Sequence, residues 1–168
     1  PPPPGRLPCR ADRAVMGRAG ARRAAQALQP LAPPKQQAWE TIQKGRNAVV
    51  AIPTASGKSL VAYLAILHRW LATGKKALYI VPLRALASEK FEELLQFKAM
   101  GITVGISTGD LDERDPRLGR LDGIVCTSEN ADALLRTRTG WLDDIGCLIV
   151  HELPQLTDPG IGPPHPRR

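Results

Sequence analysis

Apolar residues follow two patterns along this chain: short continuous runs, and longer stretches in which they recur every three or four positions. A short apolar run predicts a buried strand, and the longer period predicts an amphipathic helix. The predicted strands are residues 48–52, 77–81, 102–106, 123–126 and 147–150, and the predicted helices are residues 35–44, 58–71, 83–97 and 128–136. Strands that alternate with helices indicate an α/β fold in which a parallel sheet carries helices on both faces.

The two ends of the chain differ from this pattern. Residues 1–12 are rich in Pro and Arg and predict disorder, whereas the Ala- and Arg-rich residues 13–29 can form a helix that Pro30 ends. Prolines are again frequent near the C-terminus. The expected organisation is a leader at 1–30, one folded domain at 31–157 and a disordered tail at 158–168.

Composition excludes several classes of protein. The chain has 168 residues, 43% of them hydrophobic, which is enough for one domain with a core. No apolar run approaches the ~20 residues that a membrane-spanning helix needs. The cysteines Cys9, Cys126 and Cys147 lack the spacing of a metal site, and the last two belong to apolar strands and are expected to be buried thiols. This cysteine usage fits a reducing, cytoplasmic compartment.

The net charge of +7 is concentrated at one end of the chain. Residues 1–50 carry nine Lys and Arg side chains against two acidic ones, whereas residues 51–168 carry fourteen of each kind. The high isoelectric point is therefore no sign that the folded domain is a polycation. The basic leader could bind nucleic acid through its phosphates, or it could be a solvated or spurious segment, and the second interpretation is favoured.

The segment between the first predicted strand and the next helix reads Pro-Thr-Ala-Ser-Gly-Lys-Ser. Backbone N–H groups in such a loop and at the start of the following helix favour an anion. Lys58 would add a positive charge for the β- and γ-phosphates of a nucleoside triphosphate. The Ser59 hydroxyl would supply a ligand for Mg²⁺. The general pattern has Gly where this chain has Ile52, and the alternative interpretation is an ordinary turn before a helix. The predicted phosphate cradle comprises Pro53, Thr54, Ala55, Ser56, Gly57, Lys58 and Ser59.

Three further segments follow predicted strands: Val-Pro-Leu-Arg-Ala-Leu-Ala-Ser-Glu-Lys at 81–90, Ile-Ser-Thr-Gly-Asp at 106–110, and Thr-Ser-Glu-Asn-Ala-Asp-Ala-Leu-Leu-Arg at 127–136. With the phosphate cradle, they resemble motifs I, Ia, Ic and Ib of superfamily 2 helicases. The resemblance is strongest to the archaeal Ski-like DNA repair helicases of the HelQ/Hjm type, over about residues 31–150. It implies the first RecA-like domain of an ATP-dependent 3′-to-5′ DNA helicase acting at stalled forks, with ATP and Mg²⁺ as cofactors and DNA as partner.

Loops at the carboxyl ends of parallel strands face the ligand crevice, where a helicase must grip a nucleic-acid backbone. Hydroxyls, backbone amides and an occasional Arg suit phosphates there. Each candidate also has a local interpretation, because Thr127 or Ser128 could cap the helix that follows and Arg84 could be a solvated residue. The candidates for DNA contact are Pro82, Arg84, Thr108, Gly109, Thr127 and Ser128.

Two positions depart from the family in ways that bear on binding. Lys35 stands where the resemblance implies a Gln that reads adenine, so adenine selectivity would depend on Gln36 taking over that role. The Glu129–Asn130 step stands where the family usually has Lys. The second change predicts the loss of a positive charge near the DNA track.

The last predicted strand leads into His151-Glu152-Leu-Pro154, where the family has Asp-Glu-x-His. The resemblance implies that Glu152 is the catalytic residue that orients or deprotonates the attacking water, and that the position before it holds Mg²⁺. His151 is a poor ligand for Mg²⁺, because this cation prefers oxygen, and Pro154 replaces the residue that couples hydrolysis to motion. Alternatively, His151 and Glu152 are simply the end of a strand.

The family continues with Arg-Gly and a long helix, whereas this chain becomes rich in proline. We therefore expect a RecA-like P-loop NTPase domain that is incomplete at its C-terminus, from a gene fragment, a degenerate copy or a frameshifted reading frame. Unwinding would then need a second RecA-like domain with its arginine finger. The leading hypothesis is the ATP-binding domain of a DNA repair helicase. The alternatives are a catalytically inactive module that binds nucleotide or nucleic acid, and an unrelated P-loop kinase or GTPase, against which the 81–90 and 106–110 segments argue.

Overall fold

The computed structural model describes residues 32–53, 57–109, 117–137 and 140–152. The helices in these ranges are α1 (Pro33–Gln43), α2 (Lys58–Thr73), α3 (Arg84–Leu95) and α4 (Ser128–Thr137), and the strands are β1 (Lys76–Val81), β2 (Val104–Ser107), β3 (Gly123–Thr127) and β4 (Ile145–Val150). The predicted helices from residue 35 onward, and four of the five predicted strands, are confirmed with small shifts of their ends. The predicted leader, its helix at 13–29 and the tail at 158–168 lie outside the described residues.

The strands form a four-stranded parallel sheet in the order β2-β3-β1-β4. Val104 of β2 lies opposite Gly123 of β3, and Ser107 lies opposite Cys126. The carboxyl ends of parallel strands share one edge of a sheet. The segments that follow β1, β2 and β3 therefore meet at this edge, and they carry the predicted DNA contacts.

The strand predicted at residues 48–52 is wrong. Residues 46–53 carry no strand assignment, and 82% of the Val49 side chain is exposed. An apolar run becomes a strand only where the backbone of a neighbour completes its hydrogen bonds. In the part of the chain that the structure describes, β1 has β3 and β4 as its neighbours, and residues 48–52 have no place in the ladder.

The first of two compact units comprises the chain up to Ala77 together with Asp144–Cys147. Here α1 packs against α2. Trp39 of α1 is 7% exposed, and its ring meets His68 of α2 edge-on, with centroids 5.4 Å apart and planes at 80°. An edge-to-face contact of this kind adds to the gain from burying the ring, so it fixes α1 on α2.

The ends of the two helices in this unit have simple local causes. α1 begins at Pro33, two residues before the predicted start. The N–H groups of the first helical turn have no acceptor within the helix. Pro33 and Pro34, which have no N–H, can therefore stand there without the loss of a hydrogen bond. α2 ends at Gly74, whose φ of 65° is left-handed and whose N–H donates to the Trp70 carbonyl.

The second unit comprises Leu78–Asp143 and the chain from Leu148 onward. α3 packs on β2 and β3, and α4 packs on β3. All five residues of β3 are buried. Burial raises the pKa of the Cys126 thiol to about 12, which confirms the expected buried thiol.

Cys147, in the first unit, is only partly covered by its neighbours. Desolvation nevertheless raises the pKa of its thiol to about 11, against the opposing effect of the Arg69 charge. Cys9 lies outside the described residues. Within the described ranges, none of the helices has the length and apolar character needed to cross a bilayer.

Candidate functional site

The start of α2 carries the described part of the phosphate cradle. Gly57 is the N-cap residue, with φ 79° and ψ 36°, and no side chain caps the helix. Lys58 and Ser59 form the first helical positions, and no acidic residue lies in the first turn. The first N–H groups and the positive end of the helix dipole thus favour an anion. Pro53 is described on the preceding segment, whereas Thr54, Ala55 and Ser56 lie outside the described residues.

Lys35, at the start of α1, is the side chain that reaches this loop. Its Nζ lies 3.1 Å from the point that a Cβ on Gly57 would occupy. Gln36 is engaged differently, because its Nε2 donates a hydrogen bond to Oε1 of Glu40, one turn further along α1, at 3.0 Å. The predicted replacement of the adenine-reading residue by Gln36 stays a prediction, and one of the two N–H donors of its amide is used within α1.

His151 and Glu152 follow β4 and are held by β1. The His151 N–H donates to the Ile80 carbonyl at 2.9 Å. Nδ1 of His151 is 3.0 Å from the hydroxyl of Tyr79, a residue that is only 1% exposed. Nε2 of His151 lies 3.6 Å from Oε1 of Glu152. The imidazole is therefore built into the end of the sheet between a buried phenol and the predicted catalytic carboxylate.

Glu152 adopts a backbone conformation that is unusual for its residue type. Its φ is 59°, and it is the one residue other than glycine with a positive φ among those the structure describes. Residues held in this region store strain and are enriched at functional sites. The carboxylate keeps 28% exposure, so solvent reaches it.

The residues present fit Mg²⁺ at one of the two predicted positions. Ser59 offers a hydroxyl oxygen in the first turn of α2, next to the phosphate cradle, and oxygen is the ligand that Mg²⁺ requires. His151 offers nitrogen in place of the carboxylate oxygen, so it does not fit this cation. No group of three or more His, Cys, Asp or Glu side chains is arranged for a metal in the described ranges. We therefore assign no step to a metal at His151.

Hydrogen bonds join the strand ends that carry the predicted DNA contacts. Ser128 donates from Oγ to the Val81 carbonyl at 3.3 Å, which ties the start of α4 to the end of β1. Asn130 donates from Nδ2 to the Gly109 carbonyl and to the Ser107 hydroxyl, both at 3.2 Å. The ends of β1, β2 and β3 thus form one connected surface, and Thr108 lies on its β2 segment.

Thr127 has the geometry of a helix cap. Its hydroxyl accepts the backbone N–H of Asn130 at 3.3 Å and donates to Oδ1 of the same residue at 3.2 Å, and the residue is 5% exposed. This is the local interpretation of Thr127 that the sequence allowed. Its contact with DNA stays a prediction.

The start of α3 lies at this edge and has no side-chain cap. Leu83 is its N-cap and makes no side-chain bond, and Arg84 follows as an exposed residue, with Pro82 just before the turn. Lys90, on the same helix, is buried and paired with Glu89 at 2.7 Å and Glu93 at 2.9 Å. Burial alone would lower the pKa of Lys90, but the hydrogen bonds and charges of these two carboxylates raise it. Its charge is therefore balanced within α3.

Two of these residues were missed as contributors to the site. The sequence indicates a lost positive charge at Asn130, yet this residue is 4% exposed and joins the start of α4 to the end of β2 and the segment that follows it. Its signal is the Thr127-x-x-Asn130 spacing, which resembles a capping box. Tyr79 gave no signal, because its partner His151 is 72 residues away in sequence.

The four-stranded parallel sheet with helices packed on it has the architecture of a RecA-like domain. The model of the DEAD/DEAH box helicase family matches residues 32–164, which is most of the chain. The chain therefore belongs to the DEAD/DEAH box helicase family.

Curated relatives include ATP-dependent DNA helicases named Hel308. The protein from Pyrococcus horikoshii is 46% identical over 127 residues, covering 75% of this chain and 18% of its own length. The protein from Methanocella arvoryzae is 45% identical over 139 residues, covering 79% of this chain and 19% of its own length. The chain thus spans about a fifth of the length of these relatives.

Solved structures agree with this fold. The helicase MrfA bound to DNA and AMPPNP superposes with a TM-score of 0.62 at 25% identity, over 86% of this chain and 21% of that one. The Mycobacterium smegmatis helicase Lhr bound to single-stranded DNA and AMP-PNP gives a TM-score of 0.59 at 25% identity, over 86% of this chain and 20% of that one.

Proposed function

We propose that this chain is the ATP-binding, RecA-like domain of an ATP-dependent 3′-to-5′ DNA helicase that acts in DNA repair at stalled forks. The observation that carries the proposal is the start of α2, where Gly57 leaves the helix without a side-chain cap and Lys58 and Ser59 follow. A phosphate is the ligand that such a helix end favours. The names of the Hel308 relatives, which are ATP-dependent DNA helicases, support both the nucleotide and the nucleic acid.

Each residue of the nucleotide site has one proposed task. Lys58 binds the β- and γ-phosphates, and the Ser59 hydroxyl holds Mg²⁺, which neutralises phosphate charge when it is bound. Glu152 orients the attacking water through its carboxylate. His151 takes no part in metal binding, and a second RecA-like domain supplies an arginine finger, a group worth about 10³–10⁵ in rate.

The proposed DNA partner binds along the edge of the sheet through its backbone. The uncapped start of α3 with Arg84, the backbone at Ser128 where α4 begins, and the backbone at Thr108 and Gly109 are groups that suit phosphates and read no sequence. The MrfA and Lhr complexes, which contain DNA and a nucleotide analogue, support a joint role for nucleotide and DNA.

The nucleotide half of the proposal is tested by titrating the chain with a fluorescent ATP analogue. Lys58→Ala removes a charge-assisted phosphate contact and should weaken binding about 10- to 100-fold. Lys98→Ala is the matched control, because Lys98 is exposed on the 3₁₀ turn that follows α3. Equal affinity of the two variants would contradict the proposal.

The DNA half is tested by measuring the affinity for a single-stranded oligonucleotide at several salt concentrations. Arg84→Ala should weaken binding and reduce the slope of log K against log salt by about 1. Arg120→Ala is the control, because Arg120 is exposed just before β3 and therefore at the opposite, amino edge of the sheet. If Arg120→Ala had the larger effect, the DNA track would not follow the carboxyl edge.

A further inference from the structure

Lys35 lies against Gly57, the N-cap residue of α2. Nζ of Lys35 lies 3.1 Å, and Cε 3.7 Å, from the position of a Cβ built on Gly57. The missing side chain of Gly57 is therefore what lets the ammonium approach the loop. Lys35 itself is half-buried in the first turn of α1, so its direction is set by that helix.

The ammonium of Lys35 lies where a cation is disfavoured. The start of a helix carries partial positive charge, and α2 has neither an acidic first turn nor a side-chain cap to offset it. Lys58 adds a second ammonium to the same helix end. No carboxylate among the described residues pairs with Lys35. Lys35 and the uncapped start of α2 therefore place positive charge where a negatively charged ligand would offset it.

The chemistry of Lys35 excludes the task that the resemblance assigns to its position. A side-chain amide can both accept from and donate to adenine, whereas an ammonium has three donors and no acceptor. Gln36 beside it donates one of its two amide N–H groups to Glu40, one turn further along α1. The start of α1 therefore directs positive charge at the start of α2 and presents no acceptor at position 35 for the amino group of adenine.

We infer that Lys35 is a phosphate ligand of the nucleotide site, so that the chain selects nucleotides by the charge of their phosphates and not by their base. The inference rests on the proposed nucleotide binding and adds which part of the nucleotide the site recognises. A point charge recognises phosphate oxygens without a fixed geometry, as lysines in phosphate sites do. ATP, GTP and inorganic tripolyphosphate share the chemistry that Lys35 recognises.

The test is isothermal titration of the whole chain with ATP, GTP, ADP and inorganic tripolyphosphate. The wild-type chain should bind ATP and GTP with similar affinity and should also bind tripolyphosphate. Lys35→Met should lower the affinity for ATP, GTP and tripolyphosphate about tenfold, and the affinity for ADP by a smaller factor. Lys35→Gln should lose the same affinity for tripolyphosphate but gain a preference for ATP over GTP, because its amide supplies an acceptor and a donor.

Lys44→Met is the matched control, since Lys44 is exposed at the other end of α1 and its substitution should change nothing. If Lys35→Met bound all ligands like Lys44→Met while Lys58→Ala lost them, the inference would be overturned and the proposed nucleotide binding would stand. A wild-type chain that strongly prefers ATP to GTP would also overturn it. If the wild-type chain bound no triphosphate, or if Lys58→Ala bound triphosphates with unchanged affinity, the result would contradict the proposed nucleotide binding itself.

Discussion

The hydroxyl of Tyr79 lies 3.0 Å from Nδ1 of His151, so the interior of β1 is bonded to the residue that follows β4. Tyr79 is almost fully buried, and a buried phenol needs a hydrogen-bond partner. By the resemblance to helicases, His151 occupies the position of a metal-binding Asp. In this chain that position joins two strands instead.

Replacing Tyr79 by Phe is expected to lower the free energy of unfolding by about 1–2 kcal/mol, because Nδ1 of His151 loses its buried partner. Chemical denaturation measures this loss. In a double-mutant cycle with His151→Ala, the loss should shrink once His151 is absent. Additive effects of the two substitutions would show that the bond contributes nothing.

Replacing His151 by Asp is expected to lower the Mg²⁺ concentration that supports ATP binding, since a carboxylate oxygen suits this cation and an imidazole does not. Titration of ATP binding with Mg²⁺ measures the change. His151→Asn is the control that supplies an oxygen without the charge. An unchanged Mg²⁺ dependence in the Asp variant would mean that this position lies outside the metal's reach.

The stability of the first unit should depend on pH through His68. Burial, and then the charge of Arg69, lower the pKa of His68 below its usual value of 6.5. The unfolded chain therefore binds a proton before the folded chain does, and the free energy of unfolding should fall as pH drops through about 6.5 toward the folded pKa. Denaturation of wild type and His68→Phe at pH 7.5 and 5 should show a smaller pH dependence in the variant, whereas parallel curves would exclude His68 as the cause.

Replacing Asn130 by Ala is expected to cost about 2–3 kcal/mol of unfolding free energy, because the buried hydroxyl of Ser107 and the Gly109 carbonyl lose a donor. The matched control on α4 is Asp132→Ala, which breaks only an exposed pair with Arg136 and should cost about 0.5 kcal/mol or less. Denaturant midpoints of the two variants measure the difference. Equal costs would mean that Asn130 does not hold the strand ends together.

Local periodicity was enough to predict the helices and four strands, since the signals for α2 and β3 lie within their own residues. The segment around Val49 was misread because strand formation depends on a neighbouring backbone, which a single apolar run does not reveal. The same limit applies to the site. Lys58 and Ser59 follow from a local motif, whereas the Tyr79–His151 bond and the contact of Lys35 with Gly57 depend on how distant elements meet.

The claim that α2 begins at a nucleotide phosphate is tested most directly by the amide NMR spectrum of the ¹⁵N-labelled chain. Addition of AMP-PNP with Mg²⁺ should shift the amide signals of Gly57, Lys58 and Ser59 more than those of α4. In Lys58→Ala, the shifts at Gly57 and Ser59 should require about 10- to 100-fold more nucleotide. Unchanged signals at Gly57, Lys58 and Ser59 with saturating nucleotide would contradict the account.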